Sequence, residues 1–357
     1  MQNTDFPRLK INLGKLKHNY LNLKRICTSS GIELMPVTKV ALSYPIVVGV
    51  LVEAGTTIVG DSRLLNLQRV KDNFSIKTAL IRMPSPSVAE EVINLADISM
   101  NSEIATLKVL GEVASKKSII HQTIIMVEMG DLREGVPQEE LIPFISETLR
   151  IKGIEIIGLG CNLTCYGGVI PTLTKMEKFY TLKRRVEKAC GIQIPYLSGG
   201  SSNLIHHLLK GVKIPVNHMR VGEGIFLGRE SITPQSIPGS YQDVFLLETE
   251  VIEVKRKPSI PQGRRTLNAF DEVTHFKDYG MRTRALLSLG RQDIMLSGCR
   301  PVEAGITILG ASSDHLVLDV EERKTETRVG DTIALKMNYG ALLQAMTSPF
   351  VSKVTDN

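Results

Sequence analysis

From residue 34 to residue 226 the chain alternates eight times between a short β-rich run and a stretch with helical spacing, and few folds accommodate that rhythm. The runs fall at residues 34–40, 57–61, 78–83, 97–101, 123–129, 154–162, 193–199 and 218–226. Apolar residues at helical intervals mark Pro45–Ala54, Leu64–Lys71, Ser87–Leu95, Glu103–Ala114, Pro137–Arg150 and Leu173–Cys190 between them. Parallel strands need a crossover rather than a tight turn, so the pattern reads as βα units, and eight of them close a (β/α)8 barrel. An open doubly wound sheet is the alternative, which the strand count disfavours. After about residue 235 the texture changes to short alternating runs (FLLETEVIEVK, RALLSLG, GITILGA, HLVLDVE, DTIALKM) without a long helix. The expectation is therefore an α/β plus all-β chain: a TIM-type barrel over residues 1–235 and a C-terminal β domain over 236–357. Pro234–Gly239 reads as the linker and Lys255–Lys277 as a charged loop.

Composition sets the outer limits. With 357 residues, 43% hydrophobic and 22% charged, the chain can bury two cores and fits no disordered class. No run approaches the ~20 apolar residues a membrane span needs, and the start lacks a basic segment followed by a long apolar one, so a cytoplasmic protein without a membrane role is expected. The five cysteines (Cys27, Cys161, Cys165, Cys190, Cys299) show no metal-ligand spacing, so they read as free thiols and no metal is expected. The net charge of +6 arises from interspersed signs, and aromatic content is only 5%, so nucleic-acid binding is not indicated.

Barrel chemistry sits at the carboxyl ends of the strands, where the loops converge on one mouth. The polar residues following the runs are Lys39, Asp61 with Arg63, Arg82, Asn101, Arg133, Asn162, Ser201 with Ser202, and Arg220. Lys39 ends a buried run, and a partly desolvated amine is a nucleophile able to form a Schiff base with an aldehyde; snorkelling to water is the plain alternative. SGGSSN at Ser198–Asn203 combines glycine amides, hydroxyls and a helix start, a combination that binds phosphate, and VGEG at Val221–Gly224 adds backbone donors. Both stretches are also ordinary turns, with Ser201 able to cap a helix. The pocket suits an anionic ligand with an electrophilic carbon.

These motifs resemble, in order and spacing, the pyridoxal phosphate enzymes of alanine racemase type, and most closely the ornithine racemase branch. The resemblance runs through KINLGKLKHN (Lys10–Asn19), VTKV around Lys39, GDSR (Gly60–Arg63), MGDLREG (Met129–Gly135), NLTCYGG (Asn162–Gly168), SGGSSN, RVGEGIFLGRE (Arg220–Glu230), GRQD (Gly290–Asp293), LGASSDH (Leu309–His315) and NYGALLQAMTSPF (Asn338–Phe350). It implies an amino-acid racemase that uses pyridoxal phosphate and works as a homodimer with shared sites. Lys39 would hold the cofactor and act as base on one face of the substrate Cα; Ser201, Ser202, Gly222 and Tyr339 would hold the phosphate. Arg220 would meet the ring nitrogen, and a donor-only guanidinium keeps that nitrogen unprotonated, which weakens the electron sink and disfavours transamination. Arg133 would assist the substrate carboxylate, or else pair with Asp131 or Glu134 in its own loop. Asn162 falls where alanine racemases carry a histidine against the ring, or it satisfies strand-end backbone groups.

The departure lies in the second domain. Alanine racemases place a tyrosine there as the opposite-face base, in a GYADG-like segment that reads GRQDI here, with Arg291 at the position. A guanidinium accepts no proton at ordinary pH, so His315 is the expected base, with Asp314, Cys165 and Tyr166 as alternatives. Arg291 and Ser313 would then face substrate. Two other readings remain: a fold-type III amino-acid decarboxylase, whose loop cysteine is replaced here by Ser312 and Ser313, and a non-catalytic pyridoxal phosphate-binding protein, which usually lacks a second domain. A basic amino acid is the implied substrate, its second ammonium meeting Asp131, Glu223 or Asp314.

Overall fold

The computed structural model describes residues 6–356. The chain forms two compact units, one of Gly14–Gln242 and one in which the described residues up to Leu13 join those from Asp243 onward. This differs from the division expected at 235/236 in two ways. First, β1 (Arg8–Asn12) belongs to the second unit: its alternate residues Leu9 and Ile11 are buried, as a period-two strand requires. Second, Pro234–Gly239 is no linker. Gln235 donates its N–H to the Glu230 carboxylate at 3.3 Å and accepts from Glu230 N at 3.0 Å, Ile237 is buried with its N–H on Gly228 O at 2.9 Å, and Asn22 donates to Pro238 O at 2.9 Å. The segment is folded onto the first unit.

In that unit β2 (Glu33–Pro36), β3 (Ile58–Asp61), β4 (Lys77–Leu80), β5 (Ile98–Asn101), β6 (His121–Met126), β7 (Ile154–Gly160), β8 (Tyr196–Ser198) and β9 (His218–Val221) form one parallel sheet in the order β2-β9-β8-β7-β6-β5-β4-β3. A single parallel bridge, Val37 to Gly60, joins the two ends, with Thr38 N on Gly60 O at 2.9 Å. All eight expected strands are present. Met35, Ala79, Ile98, Met100, Ile124, Met126 and Ile157 pack together as a core. Size matching is tight: a Cβ on Gly160 would lie 2.6 Å from the Met126 sulfur, so the glycine makes room for the methionine.

The connecting helices follow the expected positions with local corrections. Pro137–Arg150 narrows to Leu141–Thr148, because Val136 N bonds to Met126 O at 2.8 Å and keeps the chain extended beside β6. Leu173–Cys190 begins at the cap Thr172, whose hydroxyl accepts from Lys175 N, and stops at Gly191 with φ of +64°. No helix among the described residues is long and apolar enough to cross a membrane.

The second unit is a β structure whose pairings are antiparallel apart from the parallel pair β1–β16. It comprises β10 (Phe245–Pro258), β11 (Met281–Leu287), β12 (Cys299–Pro301), β13 (Thr307–Ala311), β14 (Leu316–Asp319), β15 (Thr332–Met337) and β16 (Ser352–Asp356) in the order β12-β15-β10-β11-β14-β13, with β1 against β10 and β16. A bulge between Val251 and Glu253 interrupts β10, which pairs with β15 before it and β11 after it. One helix not foreseen, Tyr339–Thr347, starts at the cap Asn338, whose side chain accepts from Ala341 N at 3.0 Å.

Candidate active site

The backbone around Lys39 is held by buried polar groups. After β2 a 3-10 turn spans Lys39–Ala41, followed by Leu42 and Ser43 at φ of +51° and +46°, a region that β-carbons disfavour. Thr38 and Ser43 share a hydrogen bond at 2.7 Å, Ser43 donates to Asp61 at 2.8 Å, and Asn66 donates to Asp61 at 2.9 Å. Burial pushes the Asp61 carboxyl up, while its hydrogen bonds from Asn66 and Ser43 pull the other way. Asp61 therefore braces the loop that carries Lys39 and is itself wholly buried.

Arg220, on β9, is 4% exposed, yet the groups it donates to are all neutral. It donates to Cys161 O and Asn162 Oδ1, each at 2.7 Å, to Ser198 O at 3.2 Å and to the Ser198 hydroxyl. Burial presses its pKa down from the usual range, with Cys161, Cys165 and Glu134 opposing. Behind it the Ser198 hydroxyl meets His218 Nδ1 at 2.7 Å. Desolvation, and then the charge of Arg220, pushes His218 down to about 3, so the ring is neutral and its Nδ1 pairs with the Ser198 hydroxyl.

The two glycine-containing stretches meet. Ser202 is buried and its hydroxyl accepts from Gly224 N at 3.0 Å, which leaves its own proton for another acceptor. A Cβ on Gly222 would lie 3.0 Å from Val37 O, so a bare backbone is kept close to the loop leading to Lys39. Gly200 has φ of +145°, and Ser201 N donates to Asn203 at 3.0 Å. The helix start is modest: a 3-10 turn, Ser202–Leu204, leads into only Ile205–Leu209.

The third group of residues comes from the loops after β6 and β7. Gly135 lets the first loop close, since a Cβ there would fall 2.4 Å from Glu128 N, and its φ is +140°. Arg133 bonds to Glu134 through two nitrogens, one of them at 2.6 Å, and this pairing holds the guanidinium above its ordinary pKa. Glu134 also accepts from Asn162 Nδ2. Asp131 is buried and accepts Tyr166 N at 2.9 Å and Gly167 N at 3.1 Å, so it anchors the NLTCYGG loop rather than awaiting a substrate ammonium. Glu223 is likewise engaged, by Arg229 at 2.7 Å and Ser231 at 2.9 Å. Cys165 and Tyr166 are exposed on the anchored loop.

The second unit gathers its own motif residues. The GRQD loop and the SSDH turn touch backbone to backbone: Arg291 N donates to Ser312 O and Gln292 N to Ser313 O, both at 3.0 Å. A Cβ on Gly290 would fall 2.1 Å from Ser313 O. His315 Nδ1 lies 3.1 Å from Asp314, whose carboxyl is held down by His315 and Ser312. Arg291 makes a two-pronged pair with Glu272 at 2.8 and 2.7 Å and stacks on Phe270 at 4.2 Å. Tyr339 occupies the first helical position after Asn338. Sequence reasoning placed Glu134 only as an optional partner of Arg133 and passed over His218 and Asn203. Their signal was faint: a polar residue beside or two positions from a named one.

A parallel (β/α)8 barrel with a lysine and a buried arginine at strand ends, plus a separate β unit, defines an alanine racemase-like architecture. The model of the alanine racemase N-terminal domain matches residues 11–230, and the chain belongs to that family. It is 38% identical to ornithine racemase from Acetoanaerobium sticklandii over 98% of this chain and 99% of that protein. It is 40% identical to lysine racemase from Thermotoga maritima over 98% of each. Among solved structures, alanine racemase from Bartonella henselae with covalently bound pyridoxal phosphate superposes with a TM-score of 0.74, at 16% identity over 98% of this chain and 99% of that one.

Proposed function

We propose that this protein is a cytoplasmic, pyridoxal phosphate-dependent racemase of basic amino acids, ornithine or lysine. The observation that carries the reading is end-to-end similarity to two racemases of such substrates, both at nearly full length. The site residues fit the cofactor: a lysine on a braced loop, a donor-only arginine, and a bare Gly222 beside a hydroxyl with a proton to give. When bound, the cofactor supplies an electrophilic carbon and a ring that acidifies the substrate Cα–H.

Lys39 anchors the cofactor and, once released by substrate, takes or returns the Cα proton at Nζ on one face. Ser201, Ser202, Gly222 and Tyr339 hold the phosphate. Arg220 donates to the ring nitrogen and keeps it unprotonated, which favours proton return over amino transfer. Arg133 orients the substrate carboxylate, and Asn162 lies against the ring. The homodimer brings one subunit's β unit to the other's barrel, with Arg291 and Ser313 facing substrate. Arg291 suits a carboxylate, since it already holds Glu272 with two prongs. His315 serves the second face: Asp314 accepts from Nδ1–H, which leaves Nε2 as the proton acceptor.

The test is purified holoenzyme incubated with L-ornithine, L-lysine and other L-amino acids in deuterated water, followed by proton NMR and polarimetry. Ornithine or lysine should lose both its α-proton signal and its optical rotation. Carbon dioxide release would move the protein to the decarboxylases, and no exchange with any amino acid would leave only a binding role.

A further inference from the structure

We propose that Glu134 is a positioning residue that joins Arg133 and Arg220 into one electrostatic unit, with Asn162 as the bridge; the inference rests on the cofactor role proposed above. Arg220 presents a charge-balance problem. A guanidinium that is 4% exposed and donates to hydroxyl, amide and carbonyl oxygens stays charged, but at a desolvation cost that negative potential from nearby offsets. Glu134 is the carboxylate among the groups that favour its charged form.

The route is drawn by hydrogen bonds. Glu134 accepts from Asn162 Nδ2, and the same amide's Oδ1 accepts from Arg220 Nη2 at 2.7 Å. An amide polarised in this way presents a more negative oxygen to the arginine. It also has one orientation, because a flipped Asn162 would aim its NH2 at a guanidinium and its oxygen at a carboxylate. On its other side Glu134 grips Arg133, with 2.6 Å at one prong, so one carboxylate fixes the azimuth of both arginines. The Glu134 side chain is only 15% exposed, whereas Arg133 is 40% exposed, so the carboxylate is the better shielded from water. Gly135 sets where this carboxylate can be, since its φ of +140° and its approach to Glu128 admit no side chain.

Removing the negative charge adds net positive charge beside the bound cofactor, and positive charge favours the unprotonated form of its lysine linkage. The pH at which the visible absorbance of the lysine-bound cofactor titrates should therefore fall by about one unit in Glu134→Gln, equivalent to a tenfold change in the proton equilibrium. Glu134→Asp keeps the charge but shortens the reach; it should hold that midpoint within about 0.3 units while lowering kcat/KM about tenfold through loss of the two-sided grip. Far-UV circular dichroism checks that each variant is folded. A Gln variant with the wild-type midpoint overturns the proposal, and so does an Asp variant with wild-type kcat/KM, which decides the matter if the Gln variant does not fold. A wild-type protein with no visible band that depends on Lys39 overturns the cofactor assignment as well; a band present in wild type and unmoved in Glu134→Gln overturns only the role of Glu134.

Discussion

The buried histidines of the barrel should make its stability fall steeply on mild acidification, and His218 offers the cleanest test. It is neutral in the folded state, pushed down to about 3 by desolvation and by Arg220, and His121 is pushed down to about 4 by desolvation against a weaker opposing pull from Asp97. Each meets a serine hydroxyl from the neighbouring strand at 2.7 Å, Ser198 and Ser99 respectively. An unfolded histidine takes up a proton near pH 6.5, so below that pH the unfolded state binds one proton more per site. Stability is therefore complete above about pH 6.5 and falls by about 1.4 kcal/mol per pH unit per histidine. The loss levels off near pH 4 for His121 and near pH 3 for His218. Between pH 7 and 5 each site costs about 2 kcal/mol, against the roughly 5–15 kcal/mol that holds a typical domain folded. In His218→Asn the side-chain amide can still pair with the Ser198 hydroxyl but does not titrate, so that variant should lose about 2 kcal/mol less than wild type over the same interval. The chain contains no Trp, so urea unfolding is followed by far-UV circular dichroism, and most of the helices lie in the barrel unit. Equal losses in wild type and variant would falsify the assignment of His218 as a buried neutral group.

Replacing Lys39 by Ala should abolish the visible absorbance of bound cofactor in the purified protein, and a persisting band would refute the anchor. His315→Ala should lower racemisation about 100-fold or more while α-proton exchange continues with one enantiomer; wild-type racemisation would exclude it as the second-face base. If the sites are shared, unfolding and refolding Lys39→Ala and His315→Ala subunits together should restore about a quarter of wild-type activity, because half the dimers are mixed and each mixed dimer has one intact site. No recovery, with mixed dimers demonstrated, would place both residues in the same subunit's site. Gly290→Ala forces a Cβ to within 2.1 Å of Ser313 O and should lower the stability of the β unit by more than about 2 kcal/mol in denaturant titrations; a neutral effect would mean that the two loops part easily.

The barrel was legible because its signal is repetitive: eight buried runs each had to find a crossover, and a one-residue error at any end leaves the topology intact. What was not legible depended on contacts distant in sequence. RLKIN at Arg8–Asn12 is too short to declare its partner, and only its registers with Phe245–Glu248 and Ser352–Asp356 give it to the β unit. PQSIPG has linker composition, yet Glu230 accepts from Gln235 N at 3.3 Å and Asn22 holds Pro238 O from a helix more than two hundred residues earlier. Asp131 and Glu223 look like free carboxylates in the sequence, but backbone amides occupy one and Arg229 the other.

The same reasoning separates the two proposed bases. Lys39 follows a strand end, and the fold delivers every strand end to one mouth, so its place in the pocket was legible from position, while its role as cofactor anchor and base is what the family resemblance implies. His315 sits in the turn between β13 and β14, where turn chemistry explains a polar residue equally well. The structure adds what the turn cannot explain: the GRQD loop presses on that turn so closely that only glycine fits at residue 290, and Asp314 fixes which His315 nitrogen carries the proton. Arg291 in the same cluster is already matched to a carboxylate and stacked on an aromatic ring. A guanidinium so placed can grip a carboxylate but never remove a proton. On the reading proposed above, the base for the second face lies not in the GRQD loop but in the turn packed against it, where His315 keeps Nε2 open.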